Sequence, residues 1–187
     1  MRDQLKTQLQ ILGVCAITLW SIQLLNWITD GFLIQFGIQP RTLVGLRGIL
    51  FAPFLHGNFR HLLANTAPFL VLGGLVMVRR IMDFFSVSLI VMVVGGLGTW
   101  LIGGQNTVHI GASGLVFGYL GYLLFRGYFE RSWPAITLSV FVAIVYGSML
   151  FGLLPTMPHI SWEGHLFGFI GGGMAAKWLT VKPKSAG

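Results

Sequence analysis

Charged residues are scarce in this chain of 187 residues: they make up only 9% of it, and only five are acidic. Soluble domains carry about a quarter charged residues, so a chain with so few could not cover a water-facing surface. Hydrophobic residues, by contrast, make up 55% of the sequence. The composition excludes an ordinary soluble domain and predicts a polytopic membrane protein. The length predicts a single domain over residues 1–187, and we expect no extramembrane domain.

Cysteine is almost absent as well. The single Cys15 lies inside an apolar run, which excludes a disulfide within the chain and a cysteine-based metal site. Five histidines are present, but there is no His-Glu-x-x-His motif and no pair of histidines deep in two apolar runs, as zinc or haem would require. We therefore expect no metal and no cofactor.

Acidic residues are outnumbered by basic ones, and the net charge of +7 could suggest a nucleic-acid partner. The basic residues, however, are scattered at the ends of apolar runs and form neither a patch nor a tail. That distribution is typical of signals that orient membrane helices. We expect no nucleic acid among the partners.

Six apolar runs follow one another along the chain. They cover about residues 11–28, 62–78, 84–102, 110–125, 135–154 and 165–179. Runs of this kind are typical of transmembrane helices, so the predicted fold is an all-α bundle of six transmembrane helices. Residues 30–60 form a long first loop rich in aromatic residues. We expect this loop to lie partly in the membrane interface, because so apolar a connection is not a free linker.

The basic residues predict how the bundle is oriented. With a cytoplasmic N-terminus, nine of them fall inside, namely Arg2, Lys6, Arg79, Arg80, Arg126, Arg131, Lys177, Lys182 and Lys184. Only three fall outside, namely Arg41, Arg47 and Arg60. This asymmetry predicts cytoplasmic termini and an integral protein of a prokaryotic cytoplasmic membrane. The second, fourth and sixth helices then all begin at the outer side.

A serine between glycines lies near the start of the fourth run, in Gly111-Ala112-Ser113-Gly114. Glycines allow a sharp turn, and a helix N-terminus offers free N–H groups and a positive dipole end that would stabilise an oxyanion. The same pattern also occurs where small residues pack membrane helices together. The nucleophile interpretation of Ser113 therefore requires a base that faces it.

His165, at the start of the sixth run, is the candidate base at the same level of the bundle. A serine hydroxyl is a poor nucleophile until a base takes its proton. We predict a Ser113–His165 dyad, because Glu163 is expected to precede the helix and to face solvent. Phe117 follows Ser113 by one helical turn and is expected to stack against His165.

Two further polar residues, His61 and Asn65, share one helix face at the outer end of the second run. Both side chains can donate hydrogen bonds to a developing oxyanion. The alternative for Asn65 is a polar seam that joins two helices. His56, His109 and His159 lie in predicted loops, where we expect solvated or capping histidines.

Glycines spaced four apart occur in the fourth and the sixth run, as Gly114 with Gly118 and Gly168 with Gly172. This spacing lets two helices touch backbone to backbone. It predicts that the fourth helix packs against the sixth, as a hydrogen bond between Ser113 and His165 requires.

Taken together, these stretches resemble the rhomboid intramembrane serine proteases. They are His56-Gly57-Asn58-Phe59-Arg60-His61-Leu62-Leu63-Ala64-Asn65, Gly111-Ala112-Ser113-Gly114 and Gly164-His165-Leu166-Phe167-Gly168 with Gly172. The resemblance covers about residues 46–173. It implies that Ser113 is the nucleophile, that His165 is the base, and that His61, Asn65 and the Ser113 amide form the oxyanion hole. It also implies cleavage of single-pass membrane proteins near the top of their helices, often after a small residue. Transmembrane protein substrates and the lipid bilayer are then the expected partners.

The chain departs from the usual rhomboid pattern at two positions. Arg47 resembles the family's first-loop arginine, but Leu46 stands where a tryptophan is often found. Phe117 stands where many members have a tyrosine. Neither departure removes a catalytic group.

Two other classes of protein remain as alternatives. A rhomboid-like protein that binds membrane helices without cutting them would not need both Ser113 and His165. A small transporter would be expected to show an inverted repeat and a buried acidic residue to couple ions, and the sequence offers neither.

Overall fold

The computed structural model describes residues 2–156 and 160–180, and these residues form seven α-helices. The helices are α1 (Arg2–Ile28), α2 (Gly48–Phe51), α3 (Phe59–Met77), α4 (Ile81–Ile102), α5 (Ser113–Glu130), α6 (Trp133–Tyr146) and α7 (Trp162–Thr180). Short 3₁₀ turns cover Phe32–Phe36, Val44–Arg47, Ala52–Phe54 and Gly147–Leu153. The described part of the chain contains no β-strand, only one isolated bridge between Ile38 and His109. The all-helical class predicted from the sequence is confirmed.

Four helical segments are long and apolar enough to cross a membrane, as far as length and composition decide it. They are Arg2–Ile28, Phe59–Met77, Ile81–Ile102 and Trp133–Leu153, the last of which joins α6 to the 3₁₀ turn that follows it. The other long helices, α5 and α7, have 18 and 19 residues. Both are rich in glycine and lie inside the bundle, so their surfaces meet protein more than lipid.

Helix α5 is at the centre of the molecule and is contacted by α3, α4, α6 and α7. Its closest partner is α7, and the two backbones touch at glycines. A Cβ atom on Gly168 would collide with the carbonyl oxygen of Gly114, and one on Gly172 would collide with that of Gly118. Any larger side chain at Gly168 or Gly172 would push the two helices apart.

Helix α6 is attached far more loosely than α5. Only Ala135 and Val142 of its fourteen residues are buried, and Ile144 is 79% exposed. Its apolar side chains are therefore available to lipid.

The first loop has its own structure and is tied to the chain just before α5. Ile38 and His109 exchange both backbone hydrogen bonds, with N···O distances of 3.0 and 2.9 Å. Further along the loop, the carbonyl of Ala52 accepts the N–H of Gly111 at 2.8 Å. These bonds fix the path of residues 109–112, which lead directly into the beginning of α5.

The helices differ in extent from the apolar runs. Helix α1 begins at Arg2, nine residues before the apolar run, because helical hydrogen bonds do not need an apolar face. Helix α5 begins at Ser113 and not at Ile110, since Ile110 follows the extended bridge and Gly111 has a φ of +119°. Helix α7 begins at Trp162, three residues before the apolar run predicted to start at His165.

Candidate active site

Ser113 is the first residue of α5, and the glycine two residues earlier permits the sharp turn into it. Gly111 has a φ of +119°, a conformation that other residues rarely adopt. A Cβ atom there would also lie 2.9 Å from the imidazole ring of His61. Helical hydrogen bonds begin with the N–H of Val116 to the carbonyl of Ala112, at 3.0 Å. The N–H of Ser113 therefore has no partner within its helix and remains available.

His165 lies in the first turn of α7 and faces Ser113. Its Nε2 is 2.8 Å from the Ser113 Oγ, and its Nδ1 is 2.9 Å from the carbonyl oxygen of Gly152. Because a carbonyl can only accept, Nδ1 must carry the proton. Nε2 is then the acceptor for the serine hydroxyl, which is the arrangement that a general base requires.

Phe117 covers one face of the His165 ring. The two ring centroids are 4.1 Å apart and the planes are inclined by 14°, so the rings are stacked. The imidazole is thus fixed by two hydrogen bonds and one aromatic face, and it is only 7% exposed. Because the imidazole is already held in one orientation, it has little conformational entropy left to lose during a reaction.

His61 and Asn65 lie one turn apart near the beginning of α3. The side chain of Asn58 caps this helix by accepting the N–H of His61 at 2.8 Å. Among the described residues, the buried Nδ2 of Asn65 has no hydrogen-bond partner. A buried donor without a partner is costly unless something else satisfies it, so Asn65 has a free N–H for a bound group.

One cavity of about 860 Å³ brings together the four residues on which the sequence prediction depends. Ser113, His165, His61 and Asn65 all line it. Arg47 is not among its lining residues: its guanidinium lies over the Phe36 ring at 4.5 Å, within the first loop. Within the described ranges no group of three or more histidine, cysteine, aspartate or glutamate side chains could hold a metal ion.

A second, smaller cavity of about 50 Å³ also reaches Ser113. Its walls include Ala52, Val91, Met92 and Gly95, and they are mostly apolar. This cavity has room for a small side chain beside the serine, but not for a large one.

Three expectations from the sequence are wrong. His109 is not a solvated or capping histidine: it is half-buried, and its ring is hydrogen-bonded to Thr107 and Ser161. Glu163 does not precede the helix or face solvent: it lies in the first turn of α7, is 8% exposed and lines the large cavity. His56 is not a solvated histidine: it is 1% exposed, and its Nε2 accepts the N–H of Ala112 at 3.3 Å. Burial and the nearby His61 lower the pKa of His56 to about 4, so it stays neutral and can accept. His159 lies outside the described residues.

The sequence patterns do not predict one of the hydrogen-bond partners of His165. The orienting acceptor for His165 is the backbone carbonyl of Gly152, in the 3₁₀ turn after α6. A backbone atom leaves no residue signature, so only the folded chain reveals it. His56 is the second residue beside the site that sequence reasoning missed. The available signal was its position five residues before His61.

Comparison with known proteins shows the family to which the chain belongs. Residues 41–183 match the rhomboid domain, and the chain belongs to the rhomboid family. It is 41% identical over 176 residues to the "Uncharacterized protein Rv1337" of Mycobacterium tuberculosis (strain ATCC 25618 / H37Rv), covering 90% of this chain and 73% of that one. It is 32% identical to the "Putative rhomboid protease YdcA" of Bacillus subtilis (strain 168), covering 70% and 65%. It is 29% identical to the "RHOMBOID-like protein 4" of Arabidopsis thaliana, covering 72% and 34%.

Proposed function

We propose that the protein is an intramembrane serine endopeptidase that cleaves single-pass transmembrane proteins with Ser113 and His165. The observation that carries the proposal is the 2.8 Å hydrogen bond from the serine hydroxyl to an imidazole nitrogen whose tautomer is fixed from the other side. A helix-packing serine would not need a base, and a structural histidine would not need a nucleophile. Membership of the rhomboid family supports the same class of reaction.

The reaction would proceed in two halves. The Ser113 Oγ attacks the scissile carbonyl while its proton passes to the His165 Nε2, and the Gly152 carbonyl and the Phe117 ring face stabilise the imidazolium that forms. The tetrahedral intermediate collapses when His165 returns the proton to the leaving amine, which leaves an acyl-enzyme. Water then attacks this ester, giving its proton to His165, and His165 passes that proton to the Ser113 Oγ as the new carboxyl end leaves.

The oxyanion of each intermediate would be held by three donors. These are the N–H of Ser113 and the side chains of His61 and Asn65, which line the same cavity. The partnerless Nδ2 of Asn65 supports this role, because a donor kept free in the resting protein is ready for charge that develops later.

The substrate would be a membrane helix cut beside a small residue. The cavity of about 50 Å³ next to Ser113 suits a small side chain before the scissile bond. The exposed apolar surface of α6 and the other outer helices suits a protein that meets its substrate in the lipid bilayer.

In this proposal α5 and α7 also cross the membrane, which makes six spans with the four apolar segments, and the first loop lies partly in the interface. Both helices are long enough to cross, and the neighbouring helices that enclose them compensate for their lower apolarity. Both termini are then cytoplasmic and the active site faces the extracytoplasmic side. Lys182 and Lys184, which contribute to the basic asymmetry, lie outside the described residues.

Covalent labelling tests the chemistry. A fluorophosphonate reagent is expected to label the purified wild-type protein and to leave Ser113→Ala and His165→Ala unlabelled. Labelling of Ser113→Ala equal to wild type would contradict the nucleophile. An unlabelled wild type that still binds single-pass membrane helices would favour the non-catalytic class.

Cysteine accessibility tests the orientation. In a Cys15→Ser background, a cysteine introduced at Gln105 in the loop before α5 is expected to react with an impermeant thiol reagent in intact cells. A cysteine introduced at Met82, which is 64% exposed at the opposite end of the bundle, is the matched control and is expected to react only after lysis. The reverse pattern would invert the topology.

A further inference from the structure

A second serine and a second histidine lie above the proposed dyad and are not used by it. His109 precedes Ser113 by four residues, and Ser161 precedes His165 by four residues. The Nδ1 of His109 is 2.6 Å from the Oγ of Ser161. One hydrogen bond therefore joins the chain that leads into the nucleophile to the chain that leads into the base.

The direction of this hydrogen bond follows from its neighbours. The Thr107 hydroxyl donates its only proton to the Gly104 carbonyl at 2.6 Å, so at 2.8 Å it must accept from the Nε2 of His109. A neutral imidazole with its proton on Nε2 has an acceptor at Nδ1. The Ser161 hydroxyl must then donate to Nδ1, and its oxygen stays free to accept the N–H of Gly164 at 3.4 Å.

The His109 ring is also held in place and kept neutral. Its backbone is paired in both directions with Ile38 of the first loop. Burial lowers the pKa of His109, and the carboxylate of Glu163 opposes part of that effect. The ring is thus neutral at physiological pH, as the acceptor role of Nδ1 requires.

Helices α5 and α7 are consequently tied together on both sides of the dyad. Below it, the backbones touch where Gly168 meets Gly114. Above it, His109 meets Ser161. The 2.8 Å contact between Ser113 and His165 lies between these two ties and joins residues that are 52 positions apart.

We propose that the His109–Ser161 hydrogen bond is a positioning bridge that sets the distance between Ser113 and His165. This inference rests on the proposed function of the dyad. Neither bridge residue touches the reacting atoms. Their contribution is to keep the serine within reach of its base, since a misplacement of about 1 Å can cost about 100-fold in rate.

The main test compares the labelling of Ser113 in four variants with wild type. His109→Phe keeps an aromatic ring but removes both hydrogen bonds. Ser161→Ala removes the donor, Ser161→Thr restores the hydroxyl, and the fourth variant combines His109→Phe with Ser161→Ala. For each, the maximal labelling rate and the half-saturating concentration of a fluorophosphonate are measured together with the melting temperature in detergent.

The bridge predicts a specific pattern. His109→Phe and Ser161→Ala lower the maximal rate by about 10- to 100-fold, while the half-saturating concentration stays within about twofold. The double variant is no slower than the slower single variant, because each single change already breaks the same hydrogen bond between His109 and Ser161. Ser161→Thr labels like wild type. Lower melting temperatures with unchanged maximal rates in both single variants would overturn the proposal and leave a purely structural contact.

A second measurement does not depend on activity. Hydrogen exchange of the full chain in a Ser113→Ala background is compared with and without His109→Phe. We expect faster exchange at the amides of residues 110–114 and of residues 162–165 when the bridge is broken. Unchanged exchange in both segments would overturn the bridge even if wild type is labelled. Faster exchange with an unlabelled wild type would show that the two chain segments are tied but that the proposed protease activity has failed.

Discussion

At the Ser113 end of α5, hydrogen bonds between uncharged partners hold the polar side chains together, whereas at the Glu130 end ion pairs do so. Asp83 is 1% exposed, so the expectation that the chain has no buried acidic residue is wrong. Its carboxylate pairs with Arg79 at 3.3 Å and with Arg80 at 2.9 Å. Arg126 pairs with Glu130 at 2.7 Å. All the ion pairs found within the described residues belong to this end.

The residues expected to determine stability and those expected to carry the chemistry therefore lie at opposite ends of α5. Buried ion pairs are expensive to break, because the remaining partner is left charged in a poorly solvated place. The Ser113 end instead keeps free donors, neutral imidazoles and a cavity of about 860 Å³. We therefore expect substitutions at one end to act on rate and substitutions at the other to act on melting temperature.

The largest effect on rate is expected at the base. His165→Ala should lower peptide hydrolysis by at least about 10³-fold, since the serine then has no proton acceptor. Its melting temperature should fall by roughly 4–8 °C, because the variant loses both hydrogen bonds of the imidazole. Hydrolysis of a single-pass membrane protein and thermal unfolding in detergent are measured side by side. A large drop in melting temperature with normal turnover of the folded protein would contradict the comparison.

The second-largest decrease in rate is expected at the two side chains proposed to donate to the oxyanion. Asn65→Ala should lower kcat by about 10²- to 10³-fold with KM nearly unchanged, because the donor acts on charge that develops only in the transition state. Two donors remain, so some activity should persist. His61→Ala is measured in parallel. If kcat is normal in both variants and only the melting temperature falls, these residues form a polar seam and not an oxyanion hole.

The largest effect on stability is expected at the other end of α5. Asp83→Ala removes the shared partner of two arginines and the acceptor of the Tyr122 hydroxyl at 3.1 Å. It should destabilise the fold by about 3 kcal/mol and lower the melting temperature by roughly 10 °C. The labelling rate of the protein that remains folded should match wild type. Arg80→Ala is the control with a smaller expected effect, because that side chain is 56% exposed.

The smallest effect is expected at the stacked ring. Phe117→Leu keeps the apolar volume but removes an aromatic contact worth about 1 kcal/mol, so the labelling rate should fall by about tenfold or less. Phe117→Tyr keeps the stack and should stay close to wild type. Equal rates in the Leu variant and wild type would show that the hydrogen bonds alone orient His165.

The sequence predicted the parts of the site that consist of side chains at regular spacing. His61 and Asn65 share a face because they are one helical turn apart, and the serine between glycines indicated a helix beginning close to Ser113. Burial was harder to predict. Glu163 and His56 are polar residues beside the site, and only the packing of α7 and the first loop shows that they are covered. The Gly152 carbonyl and the His109–Ser161 contact arise from chain segments that meet only in the folded protein.

The carbonyl of Gly152 also affects how the site tolerates mutation. In a triad the orienting group is a side chain, and one codon change can delete it. Here the orienting oxygen belongs to the main chain, so every residue at position 152 would still supply it. A substitution there would act by crowding instead, since a Cβ atom would lie 2.8 Å from the Phe117 ring. In the proposed mechanism, the polar group that orients the base therefore comes from the path of the backbone, and no codon change at position 152 can delete that oxygen.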